Sequence, residues 1–280
     1  MKLNYEFIRK ATEKYPFLHN FFTWNDGLDF DLTEKEEQRP DKYILGASPI
    51  EPQILEPNGD WTKYWPEDEK QKGSIETMSC TFYGLLNCVE ALAKRQFNEE
   101  WNKSERFNAG RVKISRNGYT LKGALESVGD KHGTVEEEFY PNNIDSVTWD
   151  QWIATAPKEI IDRGLGWLVD YKLNFIEVPA TPAGIKKGLQ SSPLYCGGFA
   201  WYKQGGFYKS FGRANHAFAI KRFEETAIAG DSYEPFEKKL AENYNLFYPK
   251  IIILTKKRPD VNYKHKCSEC GLEHAPQYNL

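Results

Sequence analysis

A two-lobed α+β protein is predicted, with a helix-rich first half and a strand-rich second half. Three observations predict it. Apolar residues recur at three- and four-residue spacing through Phe82, Leu85, Leu86, Val89, Leu92, Ala93 and Phe97, the stripe of an amphipathic helix. From residue 165 onward the pattern changes to short aromatic and β-branched runs at 167–171, 175–178, 194–201, 216–221, 226–230 and 250–254. At 280 residues, 40% hydrophobic and 15% aromatic, the chain can bury a core large enough for two lobes, and disorder over most of its length is not expected.

Taken in order, residues 5–14 read as a helix, followed by aromatic loop material and the charged stretch that begins at Glu34 and ends at Pro40. Residues 41–79 are rich in Pro, Gly, Trp and Asp, the composition of turns and extended segments that drape over a body. Thr77 or Ser79 can cap the striped helix. A second short helix is expected over 119–131 around Leu121, Leu125 and Val128, stopped by Gly133. A third is expected over 149–163 and a fourth over 183–189. No internal repeat is visible. The expected organisation is an extension at 1–64, a body at 65–258 and a tail at 259–280. Within the body, the helical lobe takes 71–164 and the β-rich lobe 165–258.

Charge and hydropathy exclude several classes of function. The net charge is −3 with both signs interspersed, and without a basic stripe no nucleic-acid partner is expected. No apolar run approaches the ~18 residues of a membrane span, so no membrane partner is expected either. The first residues lack the apolar core of a Sec signal peptide, which points to a cytoplasmic or virion-associated protein. The cysteines are Cys80, Cys88, Cys196, Cys267 and Cys270, an odd number spread thinly, as suits a reducing compartment better than a disulfide scaffold.

Cys80 stands out among them. A loop of small and polar residues delivers it to the first turn of the striped helix, where orphan N–H groups and the helix dipole favour a thiolate. His216 follows 136 positions later in a strand-like run, and Asp231 comes 15 positions after that. Cys, His and Asp are the parts of a thiol-nucleophile hydrolase. In that chemistry Cys80 attacks a carbonyl, His216 holds the thiolate charged and then protonates the leaving amine, and Asp231 orients the imidazole. If 214–222 and 226–232 form a hairpin turning near Phe223 and Glu224, His216 and Asp231 face each other directly across the strands. The backbone N–H of Cys80 and the side-chain amide of Gln71 are candidate oxyanion donors. Gly118 would let a substrate backbone approach. Plainer readings stand beside these: a buried inert thiol, a strand histidine, an Asp that starts a turn, a surface glutamine and a turn glycine. Cys88 and Cys196 read as core residues.

The tail carries a separate signal. His265, Cys267, Cys270 and His274 have the ligand types and number for tetrahedral zinc, although the spacing is compressed; a flexible basic tail with incidental thiols is the alternative.

Over about 65–235 the chain resembles the papain-like cysteine peptidases. The matches, in order, are Gln71 ahead of the nucleophile, Cys80 opening a helix, the segment from Asn117 to Leu125, the stretch from Thr134 to Pro141, the run from Pro182 to Leu189 before Ser192-Pro193, and Asn215-His216-Ala217. Several departures mark a divergent relative of bacterial or bacteriophage kind. Thr81 follows the nucleophile where an aromatic residue is usual, and Gln71 lies nine positions before Cys80, further than usual. Asp231 replaces the usual Asn, and the tryptophan motif that normally follows is replaced by the stretch from Tyr233 to Phe236. The resemblance implies a helical lobe carrying the nucleophile and an antiparallel β lobe carrying His216 and Asp231. It also implies hydrolysis of a protein or peptide substrate through a thioester, with no cofactor required. Cell-wall peptide amidase or endopeptidase chemistry, and a catalytically silent binding role in a virus particle, stay open. The N-terminal segment or the tail is a candidate docking element, and whether the first residues cover the groove is also open.

Overall fold

The computed structural model describes residues 27–37, 52–199, 202–210 and 214–257, together with the paired backbone segments 265–266 and 273–274. The expected helix at 5–14 lies outside the described residues. The helices are α1 (Phe30–Glu37), α2 (Cys80–Phe97), α3 (Glu105–Val112), α4 (Leu121–Glu126), α5 (Trp149–Trp152), α6 (Lys158–Asp170) and α7 (Pro182–Leu189). The strands of the body are β1 (Tyr171–Glu177), β2 (Leu194–Gly198), β3 (Tyr202–Gln204), β4 (Phe207–Lys209), β5 (His216–Phe223), β6 (Ala227–Gly230), β7 (Glu237–Lys239) and β8 (Phe247–Lys256). Six of them form one sheet in the order β1-β8-β2-β5-β6-β7, and the pairings are antiparallel. The fold is α+β, with the helical elements first and the sheet second.

Side-chain caps set most helix starts. Ser104 accepts from the Phe107 N–H, Thr120 from Gly123 and Thr181 from Gly184, while Thr148 and Gln151 close a capping box on α5. Helix α2 departs from this. Ser79 is its N-cap by position, yet the Ser79 hydroxyl lies 2.6 Å from Thr77 Oγ1 and caps no helix N–H. The expected helix at 149–163 is two helices, because α6 starts afresh after Pro157. The run at 167–171, expected as a strand, is mostly the last turn of α6. There Trp167 stacks on Tyr171 at 5.4 Å and meets Trp101 edge-on at 6.4 Å, an i,i+4 contact that extended backbone would break.

The expected single apolar stripe on α2 understates its burial. Thr81, Tyr83 and Glu90 are buried along with the stripe, so α2 is a central helix. It backs onto the sheet at Gly84, where a Cβ would sit 2.9 Å from the Phe218 Cα. That close approach brings the start of α2 to the start of β5.

On its other side α2 meets a group of buried carboxyls. Glu90 Oε1 accepts from the Lys103 N–H at 2.6 Å, and Glu105 is also buried. Burial, then repulsion from Glu137, pushes Glu69 up to about 8. Burial, then Glu69, raises Glu90 and Glu105 well above the usual carboxylate range. The folded protein therefore keeps protons that the unfolded chain releases near pH ~4.3. Between about pH 4.5 and 8 the unfolded state binds fewer protons, so stability falls as pH rises through that window. Thermal melts are expected to peak at mildly acidic pH and decline toward pH ~8, with Glu69→Gln flattening the decline. A melting temperature that climbs over this range would refute the assignment.

Candidate active site

Cys80 is the first residue of α2, the position where the helix N-terminus best stabilises a thiolate. The loop before it is tightly held. Met78 adopts a left-handed backbone with φ of 54°, which costs a non-glycine residue roughly 1–2 kcal/mol. The turn is held from beneath, with Thr77 Oγ1 donating to the Gln71 carbonyl at 2.9 Å. The Cys80 sulfur accepts from the Ala217 N–H at 3.2 Å and makes a hydrogen bond with the His216 ring. Cys88 and Cys196 share the burial of Cys80 but not its place at a helix start. Both are fully buried, and burial raises their thiols far above the ordinary value, with Cys196 adding to the effect on Cys88.

His216 opens β5, and its Nε2 lies 2.6 Å from Asp231 Oδ1. The hydrogen bond with Cys80 thus falls to the other ring nitrogen. The route to this pair differs from the register expected from sequence. Ala219 pairs with Gly230 and Ile220 with Ala229, then a bulge shifts the ladder so that Phe223 pairs with Ala227. The turn sits at 224–226, closed by the Glu224 N–H on the Thr226 carbonyl at 3.1 Å. His216 and Asp231 are therefore not directly opposed. They are diagonal neighbours two residues apart on one sheet face, within reach of long side chains. The Cα partner of His216 is Gly198 on β2.

The electrostatics of this pair are strongly organised. Burial opposes the charged ring, but Asp231 and Cys80 outweigh it and hold His216 well above its ordinary value. Burial likewise opposes the Asp231 carboxylate, yet Lys238 and His216 bring it down to about 2. Lys238 was not foreseen in the sequence: its Nζ lies 2.6 Å from Asp231 Oδ2. The ring is fixed by neighbours, with Phe218 stacked at 6.1 Å and Tyr233 tilted at 5.3 Å. Tyr233 thus sits where the sequence resemblance places a tryptophan motif.

Gln71 is buried beside this group. Its Nε2 donates to Glu76 Oε1 at 2.8 Å and to the Tyr233 hydroxyl at 2.6 Å, while its Oε1 accepts from the Ser232 hydroxyl at 2.7 Å. An oxyanion role would require that amide to turn from one of these partners.

Residues 27–29 run through the cleft between the two walls of the site. The Tyr119 N–H donates to the Gly27 carbonyl at 2.9 Å, and Asp29 N–H donates to the Tyr119 carbonyl at 3.0 Å. From the opposite wall the Asn215 carbonyl accepts from the Leu28 N–H at 3.2 Å. Gly118, with φ of 84°, is what admits this strand, since a Cβ there would lie 1.9 Å from the Gly27 carbonyl oxygen. A Cβ on Gly27 would sit 3.0 Å from the Cys80 sulfur, and the Leu28 side chain packs over Gly197. Cys80 and His216 are both 0% exposed, Leu28 1%. Helix α1 then docks through Glu37, which pairs with Lys250 at 2.9 Å and Lys122 at 3.3 Å. Gly118 is the backbone-approach glycine expected from sequence, and the backbone it admits here is the chain's own; residues 27–29 and Glu37 lay in no sequence motif.

For the tail, the described backbone pairs His274 with His265 as cross-strand partners, while Cys267 and Cys270 lie outside the described residues. Among the described residues, no group of three or more His, Cys, Asp or Glu side chains is placed to hold a metal ion.

The constellation joins a thiol at a helix N-terminus to a buried imidazole that is itself held by a carboxylate, the requirements for a nucleophile with an adjacent acid–base group. The sequence matches no protein-family model and no curated protein. In structure the chain is similar to the recombinant stem bromelain precursor, with a TM-score of 0.56 and 13% identity over 90% of each chain. It is also similar to the Amb a 11 cysteine protease, a major ragweed pollen allergen, in its proform, with a TM-score of 0.53 and 14% identity over 93% of this chain and 90% of that one. A third likeness is to the cysteine protease and lectin-like domains of Cwp84, a surface layer associated protein of Clostridium difficile, with a TM-score of 0.53 and 16% identity over 70% of this chain and 51% of that one. The fold is papain-like, and the low identities make this chain a divergent example of it.

Proposed function

We propose that the protein is a cysteine peptidase held in a self-blocked form. The observation that carries the reading is the Cys80 thiol at the start of α2, bonded to a His216 ring whose other nitrogen lies 2.6 Å from Asp231. In the proposed reaction the Cys80 thiolate attacks the scissile carbonyl, and the developing oxyanion meets backbone donors at the helix start. His216 passes its proton to the leaving amine, giving a thioester on Cys80. Water, deprotonated by His216, then hydrolyses the thioester and returns the thiol. The segment at 27–29 must leave the cleft first, because it occupies the space over the sulfur. Two of the similar structures are a proform and a precursor, which suits a blocked form here.

The test is selective alkylation. Iodoacetamide at neutral pH is expected to modify Cys80 in native protein, at a rate set by opening of the cleft, and to spare Cys88 and Cys196 until unfolding. Peptide mapping reads the result. Modification of Cys80 no faster than Cys88 would overturn the reading.

The occluded groove also favours a second reading, a peptidase-like fold kept for binding. It is distinguished by a Cys80 that alkylates readily once the cleft is open while no peptide or protein substrate is cleaved.

A further inference from the structure

Lys238 is buried to 1% exposure at the centre of β7, flanked by the more exposed Glu237 and Lys239. Its three ammonium protons meet three oxygens: Asp231 Oδ2 at 2.6 Å, the Tyr233 carbonyl at 2.6 Å and the Pro235 carbonyl at 2.8 Å. The loop that joins β6 to β7 is folded over it, with the Asp231 N–H on the Phe236 carbonyl at 2.9 Å. A buried lysine is costly unless paired, so placing one here needs a partner charge, and the partner is the carboxylate that holds His216.

Counting charges gives the reason. With the thiolate–imidazolium pair formed, Cys80, His216 and Asp231 together carry one net negative charge on fully buried side chains. Lys238 brings the total to zero. We propose that Lys238 is a positioning residue for the peptidase chemistry, neutralising the outer oxygen of Asp231 so that this carboxylate orients His216 without adding net charge beside the Cys80 thiolate. The inference rests on the cysteine-peptidase reading of the same site. Other ionisable groups near the cluster include Tyr195, Tyr244, Tyr208, Asp68, Tyr233 and Glu76, with Glu237 beside Lys238 in β7 paired to Lys221 and Arg222. Burial raises Tyr244, Asp68 and Glu76 above their ordinary values, which favours their neutral forms. Tyr208 presents its ring face to Lys238, and Tyr233 its ring to His216.

Removing one positive charge destabilises the nearby thiolate and stabilises the nearby imidazolium. Both titrations should therefore move to higher pH in Lys238→Met, by roughly one to two units for a charge about 6–12 Å away at an effective dielectric of ~20. Asp231→Asn removes a negative charge and should move them the opposite way. The double variant removes both charges and should return close to the parent profile. The readout is the pH dependence of Cys80 alkylation by iodoacetamide in the full chain, mapped by mass spectrometry, with Lys238→Arg as the charge-retaining control. An even loss of rate at every pH in Lys238→Met, with the apparent pKa unmoved, would reduce Lys238 to a strut for the β6–β7 loop and overturn the proposal. Where Lys238→Met does not fold, the separation between Asp231→Asn and the double variant decides, and coincident profiles sink the idea. Failure of the underlying reading looks different: Cys80 in the parent protein would then titrate as an ordinary thiol near pH ~8.5.

Discussion

Cys80→Ala is expected to bring peptide hydrolysis to background, a fall in kcat/KM of about 10⁴-fold or more. Alanine keeps the first residue of α2 helical and removes only the sulfur, so circular dichroism and melting temperature should stay close to the parent. The buried sulfur it deletes accepts one hydrogen bond from Ala217 and makes another with His216, and a stability change of about 1 kcal/mol is the scale of that loss. His216→Ala should cost nearly as much activity as Cys80→Ala. The double variant should cost no more than either, because the two groups act as a unit in the attack step. Cleavage of a protein substrate by Cys80→Ala within tenfold of the parent would end the proposal. The assay belongs in a background where the cleft is open, since Cys80 and His216 have no exposure in the described form.

Much of this site is readable in the chain because its determinants are local. The striped helix needs only apolar spacing, and a thiol at its start needs only that helix and the loop before it. The four-strand run of β2, β5, β6 and β8 announces itself through β-branched and small residues. What stays hidden is set by pleat and tertiary contact. Lys238 sits in a Glu-Lys-Lys run that reads as a solvated charge patch, and only the β7 pleat turns the middle side chain inward. The diagonal His216–Asp231 contact depends on a bulge that no turn dipeptide signals. Helix α6 reads as strand at 167–171 because aromatic and β-branched residues crowd its end, and packing on Trp101 overrides that preference. Two helices had legible caps without a strong stripe. Ser104 precedes α3, and Asp29 Oδ1 accepts from the Leu32 N–H at 3.1 Å ahead of α1. A weakly apolar helix is found by its cap or not at all.

Leu28→Asp is expected to open the cleft. The Leu28 side chain is 1% exposed, and its transfer from water is worth about 2 kcal/mol. Placing an unpaired carboxyl in the same recess adds a further penalty of about 2 kcal/mol or more. A combined shift of about 4 kcal/mol raises the population of open molecules roughly a thousandfold, until opening saturates. Leu28→Ala, which loses only the transfer free energy, should raise it about thirtyfold. The three backbone hydrogen bonds of residues 27–29 and the Glu37 ion pairs are untouched by either change, so the effect reads the side chain alone. Cys80 alkylation should accelerate in the order parent, Leu28→Ala, Leu28→Asp, and hydrolysis of an added peptide should follow the same order. Cys88 serves as the internal control, since it lies in the core behind the cleft and reports global unfolding. Equal acceleration at Cys80 and Cys88 would mean that residues 27–29 are an integral part of the core, and the idea of a displaceable plug would fall. Acceleration confined to Cys80 with no hydrolysis would favour the binding reading, because an open, reactive thiol without turnover leaves the oxyanion donors or the substrate groove as the missing part.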